Sequence, residues 1–302
     1  MEIGDGVEMG DGVDIGGGGV SGGGVSGGGV SGGGVSVRDP AVAPHRASPL
    51  WWRGYLYWAY QYKKTWRSSI TTSFLFPVLY LAGMGLGLGS LVDKHSHVVD
   101  GVSYLDYIAP ALLAATAMQI GATDAMYPVM GAIKWLRTYF AMLATPLRVD
   151  DVLVGHLAWM ASRVALVSAA YLTVMAAFGV VRSPLAVLAL PAAVLTGVAF
   201  SAPITAFAAT QEGDIAFSSI TRFALIPLFL FSGTFFPVSQ LPGWLQPVAY
   251  ATPLYHGVEL CRGLVLGRLS AGSGLGDLAY LMALTVIGFL AGRRTFARRL
   301  VV

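Results

Sequence analysis

The sequence predicts an all-α polytopic membrane protein, and two observations carry that prediction. Of the 302 residues, 55% are hydrophobic and 12% are charged, against about 25% charged residues in soluble domains. Apolar stretches of about 20 residues, the length of a helix that crosses a bilayer, recur from residue 69 to residue 293. The net charge of +3 is small and gives no reason to expect a nucleic-acid partner.

The N-terminal residues 1–37 are of low complexity, with the pentad VSGGG starting at Val20, Val25 and Val30. This composition cannot bury an apolar core, so we expect a disordered tail. The glycines are not followed by the GK[ST] of a nucleotide-binding loop. The predicted domains are therefore the tail at 1–37, an interfacial helix region at 38–68 and a membrane domain at 69–302.

Residues 49–68 predict a helix that lies in the membrane interface. Aromatic residues recur there at steps of three and four, which places them on one helical face. Basic residues lie largely off that face, as expected for a helix with its apolar side in lipid and its cations near anionic headgroups. The alternative is that these residues form the first turns of a longer spanning helix. The aromatic residues are Trp51, Tyr55, Trp58, Tyr62 and Trp66.

Six spans are predicted, at 69–91, 108–130, 152–179, 185–209, 219–237 and 275–293. Most of the 19 Lys and Arg residues fall on the side of the membrane that holds both ends of the chain, which predicts that both termini are cytoplasmic. The first span carries Gly83, Gly85, Gly87 and Gly89, a pattern of close helix approach. Whether that approach lies within the chain or at a subunit interface stays open.

Asp124 and Arg163 lie within the second and third predicted spans. Charges inside a membrane are costly unless they are paired, so we expect these two side chains to form an ion pair that fixes the packing of their helices. A proton relay is the alternative. The sequence contains no HExxH or Walker motif, and its single cysteine excludes a cysteine-based metal cluster. No catalytic, metal-binding or cofactor-binding residue is therefore predicted.

The loop between the second and third spans, residues 131–155, begins as an amphipathic helix. Ile133, Leu136, Phe140 and Leu143 share one predicted face, and Pro146 ends the helix because proline lacks the amide donor that the next turn needs. A short helix that projects into the cytosol can transmit force from a soluble partner.

The stretches YPVMGAIKWLRTYFAMLATPL and LFSGTFFPVSQLPGWLQPVAYATPLYHGVELCRG together resemble the membrane subunits of ABC-2 type transporters. The resemblance covers about residues 45–302 and is strongest to the NodJ-like lipooligosaccharide-export permeases, with daunorubicin-type drug exporters more distant. It implies a bacterial plasma-membrane permease that is itself no enzyme. A separate ATPase subunit is expected on the interfacial helix and the 131–148 loop, beside a second, identical or related permease copy. The residues expected to couple to the ATPase are Lys134, Trp135, Arg137, Tyr139 and Pro146.

The resemblance also implies extracytoplasmic re-entrant helices before the last span. Four prolines divide residues 235–263 into short pieces, and Glu259 and Arg262 stand three apart, where they can pair on one helical turn. The segment is then either a half-inserted cap over the exit of a lipid-facing pathway or a rigid lid without substrate contact. The cap residues are Pro237, Pro242, Trp244, Tyr255, His256, Glu259 and Arg262.

The function implied is ATP-driven export of an amphipathic substrate such as a lipooligosaccharide, a glycolipid or a drug. An ion-gradient-driven secondary transporter is the alternative, although the discontinuous helices and midplane ion ligands of that class are not evident. A membrane enzyme would need a clustered acid–base or metal constellation. Dependence on ATP separates the first function from the other two.

Overall fold

The computed structural model describes residues 50–83 and 101–301, apart from the side chains of residues 65–74, 76 and 77. The tail at 1–37 and the glycines Gly85, Gly87 and Gly89 lie outside the described residues. All described residues belong to one unit, Ala47–Val302. Every regular element described there is a helix, which confirms the predicted all-α class.

Four of the described helices are long and apolar enough to cross a membrane. They match the second, third, fourth and sixth predicted spans. They are α2 (Tyr104–Lys134), α4 (Val149–Ala177), the segment Pro184–Ala208, which contains α5 (Ala189–Ala208), and α9 (Ala271–Leu300).

The first and fifth predicted spans differ from expectation. Helix α1 runs without interruption over Trp51–Ala82, so no break separates the predicted interfacial helix from the first span. The reason is local, since no glycine or proline stands between Tyr55 and Phe76. The fifth apolar segment is the shorter α6 (Ile215–Phe231), and it begins and ends earlier than the predicted 219–237. It ends where Gly233 takes a φ of 75°.

The remaining helices are short. Helix α3 (Thr138–Leu143) lies between α2 and α4. After α6 come a 3-10 turn at Val238–Gln240, α7 (Gln246–Tyr250) and α8 (Pro253–Leu266). Prolines stand in the first turns of α7 and α8, where proline is compatible with a helix because those amides have no intrahelical partner. The prolines therefore divide this segment into pieces, as expected.

Helix α5 packs against α2, α4, α8 and α9, while α1 packs against α4. Small residues on α5 make this central position possible. A Cβ atom added at Gly197 would lie 2.9 Å from the carbonyl oxygen of Ala117 on α2, closer than real Cβ atoms approach. The backbones of α2 and α5 therefore meet at this glycine, and the helices around α5 form one bundle.

Candidate functional site

The aromatic stripe of α1 lies against α4. Trp58 stacks on His156 with ring centroids 4.1 Å apart and an angle of 11° between the planes. Tyr55 and Tyr62 both meet Trp159 edge to face, at 5.9 and 5.4 Å. These three rings pack on α4, because helical periodicity shows that a face is covered but not what covers it. The position of this helix in the membrane interface stays a prediction.

The two ends of the stripe behave differently. Trp51 is 39% exposed, and the side chain of Trp66 lies outside the described residues. Close approach of the two helices depends on Gly155 of α4. A Cβ atom there would lie 2.6 Å from the Trp51 carbonyl oxygen and 2.8 Å from the Tyr55 amide nitrogen. The backbones of α1 and α4 therefore meet at Gly155, and the aromatic contacts continue along the same two helices.

The chain between α2 and α4 bends earlier than predicted. Helix α2 ends at Lys134, and Arg137 takes a left-handed conformation with a φ of 50° before α3 begins. This break turns the chain, so that the predicted apolar face is not maintained: Leu136 is 69% exposed, while Thr138 and Tyr139 are buried. The predicted continuous amphipathic helix was therefore wrong, because helical periodicity cannot be carried across a residue with positive φ.

Tyr139 joins α3 to three other helices. Its side chain is fully buried, and its hydroxyl forms a hydrogen bond with Nδ1 of His156 on α4. Its ring centroid lies 6.4 Å from that of Trp58 on α1 and 5.4 Å from that of Phe296 on α9. Burial raises the pKa of Tyr139 well above its ordinary value, so the hydroxyl stays protonated and can donate to the imidazole. We call Tyr139, His156, Trp58 and Phe296 the coupling cluster.

The other residues expected to couple to an ATPase lie at the surface of the same end. Trp135 is 66% exposed, and Arg137 and Pro146 are also exposed. Lys134 binds Glu212, through the carboxylate and through the carbonyl oxygen, which lies 2.6 Å from Nζ. Glu212 also pairs with Arg299 of α9, and hydrogen bonds from both cations lower its pKa.

Sequence reasoning missed several members of this end of the bundle. His156, Glu212, Phe296 and Arg299 were not singled out, and neither was the pair in which Arg293 donates to both carboxylate oxygens of Asp150 at 2.8 Å. A histidine in an apolar span was the one available signal, because an ionisable group at that depth needs a partner. The remaining residues have partners in distant parts of the chain, so no local pattern in the sequence indicates them.

The expected pair between the second and third spans forms in the structure. Arg163 Nη1 donates a hydrogen bond to Asp124 Oδ1 at 2.8 Å, and the guanidinium carbon lies 5.5 Å from the centre of the Tyr62 ring. Asp124 is 8% exposed. The pair connects α2 to α4 beside α1, while its role in fixing the packing stays a prediction.

At the opposite end of the bundle, Arg262 of α8 is a buried hub. It donates to Glu259 Oε1 at 2.7 Å, to the Gly233 carbonyl oxygen at 2.7 Å and to the Tyr107 carbonyl oxygen at 3.3 Å. Its guanidinium carbon lies 3.8 Å from the centre of the Tyr107 ring. Arg262 therefore connects α8 to α2 and to the end of α6, which favours a structural role for it in the lid.

The other predicted cap residues divide into a packed set and an exposed set. His256 Nδ1 lies 2.7 Å from Asp277 Oδ1, and Tyr255 meets the ring of Tyr250 at 5.0 Å. Pro237 is partly buried and Pro242 is exposed, and Trp244 is 76% exposed. Among the described residues, no group of three or more His, Cys, Asp and Glu side chains is arranged to hold a metal ion.

Comparison with known proteins gives matches over most of the chain. Residues 50–266 match the family model described as ABC-2 type transporter. "Nodulation protein J" of Rhizobium leguminosarum bv. viciae is 34% identical over 83% of this chain and 93% of its own length. "Nodulation protein J" of Rhizobium meliloti (strain 1021) is 32% identical over 83% and 92%. "Inner membrane transport permease YadH" of Escherichia coli (strain K12) is 23% identical over 69% and 79%.

Proposed function

The chain belongs to the ABC-2 type transporter family, and on that premise we propose that it is the membrane-spanning permease of an ATP-driven exporter. The coupling cluster is the observation that carries this proposal. It fixes a short cytoplasmic helix, α3, to α1, α4 and α9 through one buried tyrosine. A displacement of α3 is therefore passed to several helices at once, because packed side chains transmit strain.

The ATPase lies on a separate subunit and docks beside α3 in this proposal. Trp135 and Leu136 supply exposed apolar surface there, and Lys134, Arg137, Arg298 and Arg299 line a basic groove next to it. Tyr139 is too deeply buried to touch a partner directly, so its part is transmission. A second permease copy completes the transporter, and both termini lie in the cytoplasm. The tail at 1–37 remains a separate region in this proposal, while the 38–68 region continues into the membrane domain through α1.

The cargo that we propose is an amphipath, namely a lipooligosaccharide, a glycolipid or an amphipathic drug. The similarity to proteins named for nodulation and for inner membrane transport supports export from a bacterial plasma membrane. Trp244 and Val248 expose apolar surface at the extracytoplasmic end, which suits contact with the outer leaflet by re-entrant helices. No observation favours the ion-gradient alternative over this function.

Purification from the native membrane tests the proposal. We expect a soluble Walker-motif ATPase to accompany the tagged permease in near-equal amount, with ATP hydrolysis in the purified complex. Leu136→Asp should release the ATPase because it places a charge on the proposed docking surface. Val187→Asp is the matched control, since Val187 is equally exposed, at 70% against 69%, and lies at the other end of the bundle. A particle without ATPase that still moves cargo under an ion gradient would reject the proposal.

A further inference from the structure

An open groove of about 510 Å³ lies between the start of α4 and the last turns of α9. Its volume falls within the range of small-molecule sites, about 300–1,000 Å³. The groove shares no lining residue with the basic groove beside α3. Its charged residues are Arg148, Asp150, Arg293 and Arg294, and its apolar residues include Leu290.

The charges that line this groove are unequal, with three guanidinium groups and one carboxylate. Arg293 donates to both oxygens of Asp150 at 2.8 Å, so these two side chains neutralise each other. Arg148 and Arg294 are exposed, and neither forms an ion pair with an acidic side chain of the described residues. Guanidinium groups match the geometry of phosphate and bind it through paired hydrogen bonds. The groove therefore suits a ligand that carries a phosphate.

An exposed apolar stripe leads along α9 to the same groove. Its side chains recur every four residues and are between 42% and 49% exposed, and they are Leu278, Met282, Val286 and Leu290. Arg294 is the next position in this series. Because residues four apart are neighbours on a helix, the exposed surface changes from apolar to cationic within one turn. The stripe is about 18 Å long, comparable with the apolar half of a bilayer, which is about 15 Å thick.

We propose that this groove binds the headgroup of an anionic phospholipid, whose acyl chains lie along the stripe of α9. Basic pockets between membrane helices suit such headgroups. The phosphate bridges Arg148, at the start of α4, to Arg294 of α9, beside the pair that Asp150 and Arg293 form between the same helices.

A second copy of the chain suits this face less well than a lipid does. In a symmetric pair, both copies present the same arginines to the contact, and like charges repel. An anionic lipid meets both the cationic groove and the apolar stripe. The inference uses the membrane location of the chain and is independent of export.

Titration with short-chain lipids tests the site. The full chain is purified in a neutral detergent, and native mass spectrometry measures the binding of dioctanoyl phosphatidylglycerol and dioctanoyl phosphatidylcholine. These lipids share their chains and their phosphate, but only phosphatidylglycerol carries a net charge. We expect the parent protein to bind phosphatidylglycerol more tightly and to melt at a higher temperature with it, because a ligand of the folded state stabilises that state. Equal affinity for the two lipids overturns the proposal.

Two double variants locate the binding. Arg148→Gln combined with Arg294→Gln removes the cations that have no acidic partner. Its affinity for phosphatidylglycerol should fall about thirtyfold, since each cation near an anionic lipid contributes about fivefold. Arg222→Gln combined with Arg298→Gln is the matched control, which removes the same charge from two exposed arginines outside the groove, and its affinity should fall much less. An equal loss in both double variants would show that net charge alone attracts the lipid. Gel filtration and circular dichroism show that each variant is folded.

Free phosphate and the ATPase are the competing occupants of the groove. If inorganic phosphate displaces phosphatidylglycerol at equal concentration, the groove is a site for the free anion and the proposal is wrong. If the variant with both Arg148→Gln and Arg294→Gln loses a co-purifying ATPase but keeps its affinity for the lipid, the groove belongs to the subunit contact and the proposal is wrong. We expect no displacement by phosphate and a loss of lipid affinity.

Discussion

The two ends of the bundle are fixed in different ways. At the end that holds α8, the buried guanidinium of Arg262 satisfies two backbone carbonyls and one carboxylate. At the end that holds α3, helices meet through the coupling cluster and through ion pairs that water can reach, such as that between Lys134 and Glu212, with side chains 27% and 68% exposed. Exposed ion pairs contribute little stability and are easily exchanged. From this difference we infer that the end that holds α3 is the easier one to move and that the end that holds α8 is the more firmly fixed.

Removing the buried hub should have the largest effect of the changes proposed for the two ends. Arg262→Met leaves the Gly233 and Tyr107 carbonyls without this donor and Glu259 without its cation, and we expect a loss of about 3 kcal/mol or more in the free energy of unfolding. Thermal unfolding in detergent would measure it. Glu259→Gln keeps an acceptor for Arg262 and should cost clearly less. Equal melting temperatures for Arg262→Met and the parent would show that this residue does not fix the end that holds α8.

A substitution where α1 and α4 cross should have the next largest effect on stability. Gly155→Ala places a Cβ atom against the backbone of Trp51 and Tyr55, and such overpacking costs about 1–3 kcal/mol. Gly272→Ala is the control, since nothing lies within 4 Å of a Cβ atom there. Chemical denaturation of the two variants side by side checks the difference. A Gly155→Ala protein as stable as Gly272→Ala would contradict the backbone crossing.

Removal of the Tyr139 hydroxyl should distinguish an effect on the stability of the protein from an effect on the coupling to ATP hydrolysis. Tyr139→Phe keeps the ring contacts with Trp58 and Phe296 and removes the hydrogen bond to His156, so the stability loss should be about 1 kcal/mol. Cargo-stimulated ATP hydrolysis should fall by a larger factor than basal hydrolysis if α3 transmits force. Because burial raises the pKa of Tyr139, its hydroxyl should stay protonated between pH 6 and pH 9. A proportional fall in both rates would show that Tyr139 has a packing role only.

The smallest effect is expected at the exposed ion pairs. Glu212→Gln removes the partner of Lys134 and Arg299, and its effect on melting temperature should disappear at high salt because exposed charges are screened. The folded pKa of Glu212 is depressed by these cations. Its contribution is therefore present above the ordinary glutamate pKa and is lost as pH falls through the lower folded value. Melting curves of Glu212→Gln and the parent should converge in strong acid, and a gap that persists there would contradict the assignment.

The sequence predicted where most helices lie along the chain, but it did not predict which helices contact one another. The long spans of α2, α4 and α9 follow from apolar length alone, and the short helices around Pro247 and Pro253 follow from proline. The stripe of Tyr55, Trp58 and Tyr62 was correctly assigned to one helical face, but its partner was not, because the α4 residues that cover it lie far along the chain.

Sequence by itself determined the class of the protein, the family and most helix positions, because apolar length, proline and glycine act locally. Tertiary structure decided what those helices touch. The turn at Arg137, with a φ of 50°, buries Tyr139 rather than the predicted apolar face, and the fold brings Tyr139 to His156 and Phe296. The groove that Arg148 and Arg294 line likewise exists only where α4 and α9 meet. Contacts between distant segments depend on the packing of whole helices, which no local pattern in the sequence specifies.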